Sequence, residues 1–598
     1  MVRPKPLLTV SSWADQNRVL SPEASAEPGR WYTARAEYQR GIMDAFSDPS
    51  VERVVVMSSA QVGKTSVLEN VIGFFIDYDP SPIMVVEPTI EVGKSFSKDR
   101  LAPMLRDTPC LARKVADVKS RDSGNTVNHK VFYGGHITIA GANSAASLRG
   151  RSIRIALADD IDAFPSSAGT EGDPVSLIGK RTTTFWNRKI GLFSTPTDEG
   201  LSKIEAEYLK SDRRKYFVPC VHCGEFQIFT FDQVKWPKSE PSKAQYECPF
   251  CNGMITDNDK ARMILRGEWR KQAPEVKRIA GFWINELYSP WVTFAQVAEK
   301  FYASKDDPQT LKVWTNTSLG ESWKQVIVSR TSDNLFKARC ALKPQTVPME
   351  AVALTCGIDQ QMAGYWFVVR AWAANMTSWL IHYGFLPTEE DLDTLVFGTQ
   401  YPVEDGSRSM SIWRAARDTG GTRGKEQDTS MTEAAYWWIV KNQGRGPALF
   451  GTKGASANQG TRFKVGEPLM QTPSGKTLPQ WFRIITIDTD VMKDYFHYGL
   501  DQAIAQGPNA LYLHAETGED YIRQITAEEK RVNKKGVAEW ERLRRDNHLL
   551  DGEILCISLA QPQWVGGGVN LLRRPAVPGI PGGNVRPMKR RVISQGVM

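Results

Sequence analysis

The sequence predicts a mixed α/β protein made of a parallel sheet, a small cysteine-stapled module and a second α/β domain. Three observations predict it. In the N-terminal third, short apolar and β-branched runs at 51–57, 83–87, 136–140, 153–158 and 190–193 alternate with helical stretches. Parallel strands covered on both faces by helices have this pattern. Between 216 and 270 the composition shifts to Cys, Pro and Gly. From Val352 onward, apolar runs at 352–358, 365–373 and 377–385 are spaced as adjacent antiparallel strands.

A chain of 598 residues exceeds what one hydrophobic core supports and predicts roughly three or four domains. The expected segments are 1–45 leading into the first domain, 46–215 as its core, 216–270 as the cysteine module and 271–348 as a connecting segment. A second domain follows at 349–562, and then a tail at 563–598. With 41% hydrophobic and 24% charged residues, the composition is that of an ordinary globular protein. The N-terminus lacks an apolar signal region, and no run approaches the ~20 apolar residues of a membrane span. The net charge of +8 is uneven: Arg573, Arg574, Arg586, Lys589, Arg590 and Arg591 all follow Leu572, with no acid among them. That Gly/Pro-rich end is expected to be disordered, serving either as a solvated terminus or as a docking arm.

The loop Ser58-Ser59-Ala60-Gln61-Val62-Gly63-Lys64-Thr65 follows an apolar strand and opens a helical stretch. Backbone N–H groups at such a turn surround phosphate oxygens, the lysine neutralises charge and the hydroxyl holds magnesium. A chance Gly-Lys-Thr turn is the alternative. A second element favours the nucleotide reading: the apolar strand at 153–158 ends in Asp159-Asp160-Ile161-Asp162. A strand delivering an acid to the sheet's C-terminal edge places a magnesium-binding Asp beside the phosphates, and the next acid polarises the attacking water. Here that next acid is Asp160, one methylene shorter than the usual Glu. Arg149, or Arg151, is placed to act as an arginine finger on a neighbouring subunit's nucleotide, with a basic turn as the alternative. The run Ser194-Thr195-Pro196-Thr197 ends a strand expected beside the Asp strand, where it senses the γ-phosphate or is an ordinary turn.

Cys220, Cys223, Cys248 and Cys251 form two Cys-x-x-Cys knuckles, a spacing that closes a tetrahedral structural zinc site. His222, between ligands, is expected at the surface. In the last domain, Asp359 ends a strand, Asp418 lies where a strand gives way to a turn, and Asp551 lies on an amphipathic stretch. Three acids so ordered match an RNase H-like nuclease, in which paired magnesium or manganese ions activate water and stabilise the departing oxygen. Glu553, Asp546 and Asp488 are alternatives or helpers.

With these residues in view, the chain resembles the large subunit of tailed-phage terminases of the lambda-like, gpA type. The resemblance spans roughly 30–562. It is carried by Ala60-Gln-Val-Gly-Lys-Thr65, Glu87-Pro-Thr89, Leu148-Arg-Gly150, Asp159-Asp160-Ile-Asp162 and Ser194-Thr-Pro-Thr197. The four cysteines, Asn316-Thr-Ser-Leu-Gly-Glu321, Gly357-Ile-Asp359, Asp418-Thr-Gly420 and Asn547-His548 to Asp551 continue it. It implies a P-loop ATPase with a parallel sheet, a zinc-ribbon-like insertion and a C-terminal RNase H-like nuclease domain. The implied function is an ATP-driven motor that moves double-stranded viral DNA into a procapsid and a metal-dependent endonuclease that cuts the concatemeric genome. Cofactors implied are ATP, Mg2+ (or Mn2+ at the nuclease) and structural Zn2+. Implied partners are a small terminase subunit, the portal and procapsid, and copies of the chain in a ring, with no membrane, in the host cytoplasm.

By the same resemblance Ser59 to Thr65 cradle the nucleotide, Thr65 and Asp159 hold its magnesium, Asp160 is the catalytic acid and Arg149 the finger. Gln39 lies near the adenine, and Asp359, Asp418 and Asp551 form the nuclease metal site. Two other readings stay open at this point. One is a DNA-remodelling ATPase whose RNase H-like domain no longer cuts; the other is a zinc-bearing scaffold with a regulatory nucleotide site.

Overall fold

The computed structural model describes residues 7–115, 125–305, 307–324, 332–420, 430–455, 461–532 and 538–572. They form two compact units, one holding the described residues through 324, the other those from 332 to 531 and from 539 to 572.

The first unit is organised by a ten-stranded sheet. Seven strands run parallel, in the spatial order Arg214–Pro219, Ile279–Ile284, Arg53–Ser58, Lys189–Ser194, Ile155–Ala158, Ile83–Glu87 and Gly135–Gly141. All five strands expected from the apolar runs are among them. Their residues are buried on both faces, which is why they read as continuous apolar runs. Alternation divides them cleanly. Val54, Val56, Val85 and Leu157 share one core with the helix Lys64–Asp77, while Val55, Met57, Val86 and Ala158 pack in the opposite layer.

The sheet extends further along the chain than the expected segments imply. Arg214–Pro219 and Glu268–Arg270, at the ends of the cysteine segment, pair with each other in the sheet. Ile279–Ile284, from the connecting segment, pairs along its whole length with the phosphate-loop strand. The run Ile-Ala-Gly-Phe-Trp-Ile is itself a buried-strand sequence. The cysteine module proper is smaller, with a three-stranded antiparallel sheet of Val234–Lys235, Gln245–Glu247 and Met254–Ile255.

In the second unit, Ala353–Gln361, Gly364–Trp372 and Ser378–Leu386 form the expected antiparallel meander. Arg414–Asp418, Ala448–Gly454 and Ile484–Ile487 then add in parallel beside the first of these strands. The helix His548–Ala560 crosses Ala353–Gln361 so closely that a Cβ on Gly357 would stand 2.0 Å from the Gly552 carbonyl oxygen. Glycine at 357 is therefore a packing requirement, and the contact draws Asp359 and Asp551 to one end of the sheet.

Packed structure continues past 562. Trp564 and Val569 are buried, and the Trp564 ring lies 5.3 Å from Phe450 and 4.9 Å from Phe463. Arg414 Nη1 donates to the carbonyls of Leu559 and Gly567 at 3.0 and 2.7 Å. Packed structure thus reaches ten residues into the segment expected as a tail, where Gly566-Gly-Gly568 hides the anchoring Trp564 and Val569 in the sequence; residues 573–598 lie outside the described residues.

Candidate active sites

The strand Arg53–Ser58 delivers its chain into a loop that ends at Gly63, the left-handed cap (φ 85°) of the helix Lys64–Asp77. A Cβ at Gly63 would meet Gln39 Nε2 at 2.2 Å, so both conformation and space require glycine. Gln39 is buried beneath the loop and donates to the Val62 carbonyl at 2.9 Å, joined there by Tyr38 Oη at 3.1 Å. Its described contact is thus with the loop backbone. The loop is also held from the far side: Ser59 N–H donates to the Ile284 carbonyl at 3.0 Å and Ala60 N–H to the Thr317 carbonyl at 2.8 Å.

Lys64 Nζ donates to Thr195 Oγ1 at 2.8 Å and lies 3.6 Å from Asp160 Oδ1. Three strand ends meet here, because Lys189–Ser194 lies between the phosphate-loop strand and the Asp strand. Asp159 is buried, and burial with the neighbouring Asp160 carboxylate pushes its carboxyl up to about 6 against the pull of Lys64. Asp160 is in the left-handed region (φ 50°) with its side chain 59% exposed. Asp162 is a structural acid: it accepts from Thr197 Oγ1 and from the Ile204 N–H, both at 2.8 Å.

Glu87 has no role in the sequence reading beyond its part in the family motif. It ends the strand beside the Asp strand, and burial together with Asp159 and Asp160 pushes its carboxyl up to about 9. Its available signal was position: an acid at the C-terminal end of a buried parallel strand.

Arg149 pairs with Glu171 of its own chain while its side chain stays 60% exposed. Arg151 turns back onto the sheet edge, with Nη1 2.9 Å from His129 Nδ1 and bonded to Thr138 Oγ1.

The sulfur atoms of Cys220, Cys223, Cys248 and Cys251 all lie within 4.8 Å of one another. The Cys220–Cys251 and Cys223–Cys248 separations are 4.0 and 3.9 Å. A tetrahedron with ~2.3 Å metal–sulfur bonds has edges of about 3.8 Å, whereas a disulfide requires ~2.05 Å. The donor set therefore fits one tetrahedral metal ion. His222 is not part of it, since its Nε2 meets the Met254 carbonyl at 2.9 Å.

In the second unit Asp359 and Asp418 lie on adjacent parallel strands, where Ile358 registers with Arg417. Asp551 joins them from the first turn of the helix His548–Ala560. Burial, then the Asp359 carboxylate, raises the Asp551 carboxyl well above its ordinary range; burial raises that of Asp418 too, with Asp359 adding to it. One buried acid, Asp359, and two half-buried ones, Asp418 and Asp551, thus concentrate negative charge in one place, which suits divalent cations. The alternatives do not join the cluster. Glu553 is locked to Arg370, Asp488 caps a helix through the Val491 N–H, and Asp546 is exposed. His548 stands at the cluster, with Nδ1 2.7 Å from Asp359 Oδ2 and its ring stacked on Trp366.

A phosphate loop and strand-borne acids on a parallel sheet, with a separate three-acid cluster on a mixed sheet, define an ATPase joined to an RNase H-like nuclease. The family comparisons agree. Residues 25–269 match the family described as phage terminase large subunit gpA, ATPase domain, and residues 279–565 match terminase large subunit gpA, endonuclease domain. The chain belongs to the lambda-like, gpA-type terminase large subunits, and is an ATPase and endonuclease of viral DNA packaging.

It is 28% identical over 595 residues to the terminase large subunit of Escherichia phage lambda, covering 92% of this chain and 89% of the relative. It is 28% identical over 458 residues to that of Enterobacteria phage P21, covering 71% and 70%. The HK97 bacteriophage large terminase structure aligns with a TM-score of 0.32 at 11% identity, over 92% of this chain and 98% of that one. The nuclease family match begins at 279, yet Ile279–Ile284 is a strand of the ATPase sheet. Among the described residues no helix is long and apolar enough to cross a membrane.

Proposed function

We propose that this chain drives double-stranded DNA into a procapsid with its first unit and cuts the concatemeric genome with its second, and that the work divides among named residues. The loop Ser59 to Thr65 receives the triphosphate of ATP, with Gln39 fixing the loop through Val62. Lys64 leaves Thr195 to neutralise phosphate charge. Thr65 and Asp159 hold Mg2+, and Asp160 orients the attacking water. Arg149, exposed where Arg151 is tied down, reaches the nucleotide of a neighbouring copy in a packaging ring.

Asp359, Asp418 and Asp551 hold Mg2+ or Mn2+ at the nuclease centre, and the four cysteines hold Zn2+ as a structural staple. Divalent ions supply charge neutralisation at both phosphorus centres and an activated water at the phosphodiester. A small terminase subunit selects the cutting site, since the chain outside its basic end is nearly neutral, and the portal and procapsid receive the motor, all in the host cytoplasm.

The observation that carries this reading is the presence of two separate acid clusters, one beside a phosphate loop and one without. The test separates them. Lys64→Ala is expected to abolish DNA-stimulated ATP hydrolysis while leaving DNA cleavage measurable. Asp359→Ala is expected to remove Mn2+-dependent cleavage while ATP turnover persists. Hydrolysis unchanged in the first variant, or normal cutting in the second, rejects the corresponding half of the assignment.

A further inference from the structure

We propose that Glu87 is a third working carboxylate of the ATP site, holding a water ligand of the nucleotide-bound magnesium from the side opposite the phosphate loop. This rests on the ATP-site reading above and deepens it.

The placement follows from strand register. Val86 pairs with Ala158 across the parallel ladder, and the Asp159 N–H continues it to the Val86 carbonyl at 3.0 Å. Glu87 and Asp159 are therefore neighbours at one level of the sheet. Alternation then sets their direction. Val86 and Ala158 lie in one core layer, and Val85 and Leu157 in the other, with the helix that begins at Lys64. One residue further on, Glu87 and Asp159 turn to that same helix-bearing face.

Glu87 is only 4% exposed, and no hydrogen bond or ion pair reaches its carboxylate among the described residues. Its stem packs 3.7 Å from where a Cβ on Gly93 would stand, so the side chain is confined. An enclosed carboxyl with no protein donor is satisfied by water or by another polar guest. Beside it are Asp159 and Asp160, which bring more negative charge and no donor side chain. The guest that suits three carboxylates is a hydrated divalent cation. Magnesium keeps several of its waters when bound to nucleotide, and each presents protons that a carboxylate accepts. Asp160 is a methylene shorter than the glutamate usual at its position; Glu87 returns a carboxylate of glutamate length from the next strand.

The test is equilibrium binding of a non-hydrolysable ATP analogue to full-length Glu87→Gln, with free Mg2+ titrated. The expected result is at least about a fivefold rise in the Mg2+ needed for half-maximal binding, with analogue binding in EDTA and Tm both unchanged or improved. Glu87→Asp should give an intermediate Mg2+ requirement. A wild-type Mg2+ titration in Glu87→Gln, whatever its Tm, overturns the proposal. Failure of the parent reading looks different: wild-type protein would itself bind the analogue without Mg2+ dependence, or Lys64→Ala would bind it as well as wild type.

Discussion

Arg370 Nη1 stands 2.9 Å from both carboxylate oxygens of Glu553, and neither side chain has exposed surface. The pair is completed by Tyr521 Oη on Glu553, and by Ser378 Oγ and the Tyr512 carbonyl on Arg370, both at 2.9 Å. Glu553 is thus a tie between the helix His548–Ala560 and the strand Gly364–Trp372, not a metal ligand. Glu553→Ala leaves a buried guanidinium without its counter-charge and is expected to cost about 3–5 kcal/mol. Chemical denaturation of the nuclease unit should report the loss, and a double replacement of Arg370 and Glu553 by apolar residues should recover most of it.

Asp551 lies two positions earlier on the same helix and is predicted to behave oppositely. Its charge is buried against Asp359, with Glu528 and Asp418 adding repulsion and only Lys493 opposing. Asp551→Asn removes that repulsion, so the metal-free protein should melt at a higher temperature than wild type, with the gap widening as pH rises and the native carboxyl is forced to ionise. Cleavage should vanish, and Mn2+, which is expected to raise the Tm of wild type, should no longer do so. Thermal melts with and without Mn2+, beside a cleavage assay, check both arms.

At the ATP site, Asp160→Asn keeps size and leaves Asp159 to the metal. Nucleotide affinity should stay within about twofold while hydrolysis falls at least about 100-fold, the scale of a lost acid–base group. An equal fall in affinity, measured by analogue binding, would show that Asp160 serves the metal or the fold instead.

How much was legible in advance depends on whether the signal was local. The strands around Val54, Val85 and Leu157 announced themselves because a two-sided burial leaves an unbroken apolar run. The Gly63-Lys64-Thr65 turn, Asp159-Asp160 and the paired cysteines are each complete within a few residues. Glu87 was missed as a site residue because its neighbour, Asp159, belongs to a strand distant in sequence; only spatial strand order joins them. Asp551 is the third acid the sequence favours, but it leaves Glu553 open as an alternative. Two residues along a helix turn a side chain by roughly 200°, and composition does not say which face meets the acids and which meets Arg370. Trp564 was hidden for a similar reason, since its partners Phe450 and Phe463 are remote in the chain.

The cysteine module should behave as a metal-dependent staple. Freshly purified reduced protein is expected to contain one zinc per chain by elemental analysis. Cys248→Ser, which removes a buried ligand, should release the metal and destabilise the packing of Phe229 and Tyr246 around it. A strong chelator should reproduce the loss in wild-type protein. The nuclease centre, whose proposed ligands are carboxylates, should still bind Mn2+ in the Cys248→Ser chain.

His514 gives the nuclease unit an acid limit. The ring is buried, stacked on Tyr383 at 5.6 Å, and its Nδ1 has no hydrogen-bond partner among the described residues. Burial, then the neighbouring His382, Arg339 and Arg370, pushes its pKa down to about 4. An unfolded histidine takes a proton near ~6.5. Between these values the unfolded chain holds the extra proton, so this residue's contribution is full above about pH 6.5 and is lost as pH falls towards 4. One proton sets a ceiling of about 1.4 kcal/mol per pH unit on the slope. His514→Gln removes the titration and should flatten the pH dependence of unfolding across that window relative to wild type. Parallel wild-type and variant curves between pH 4 and 6.5 would assign the acid sensitivity to the carboxylates instead.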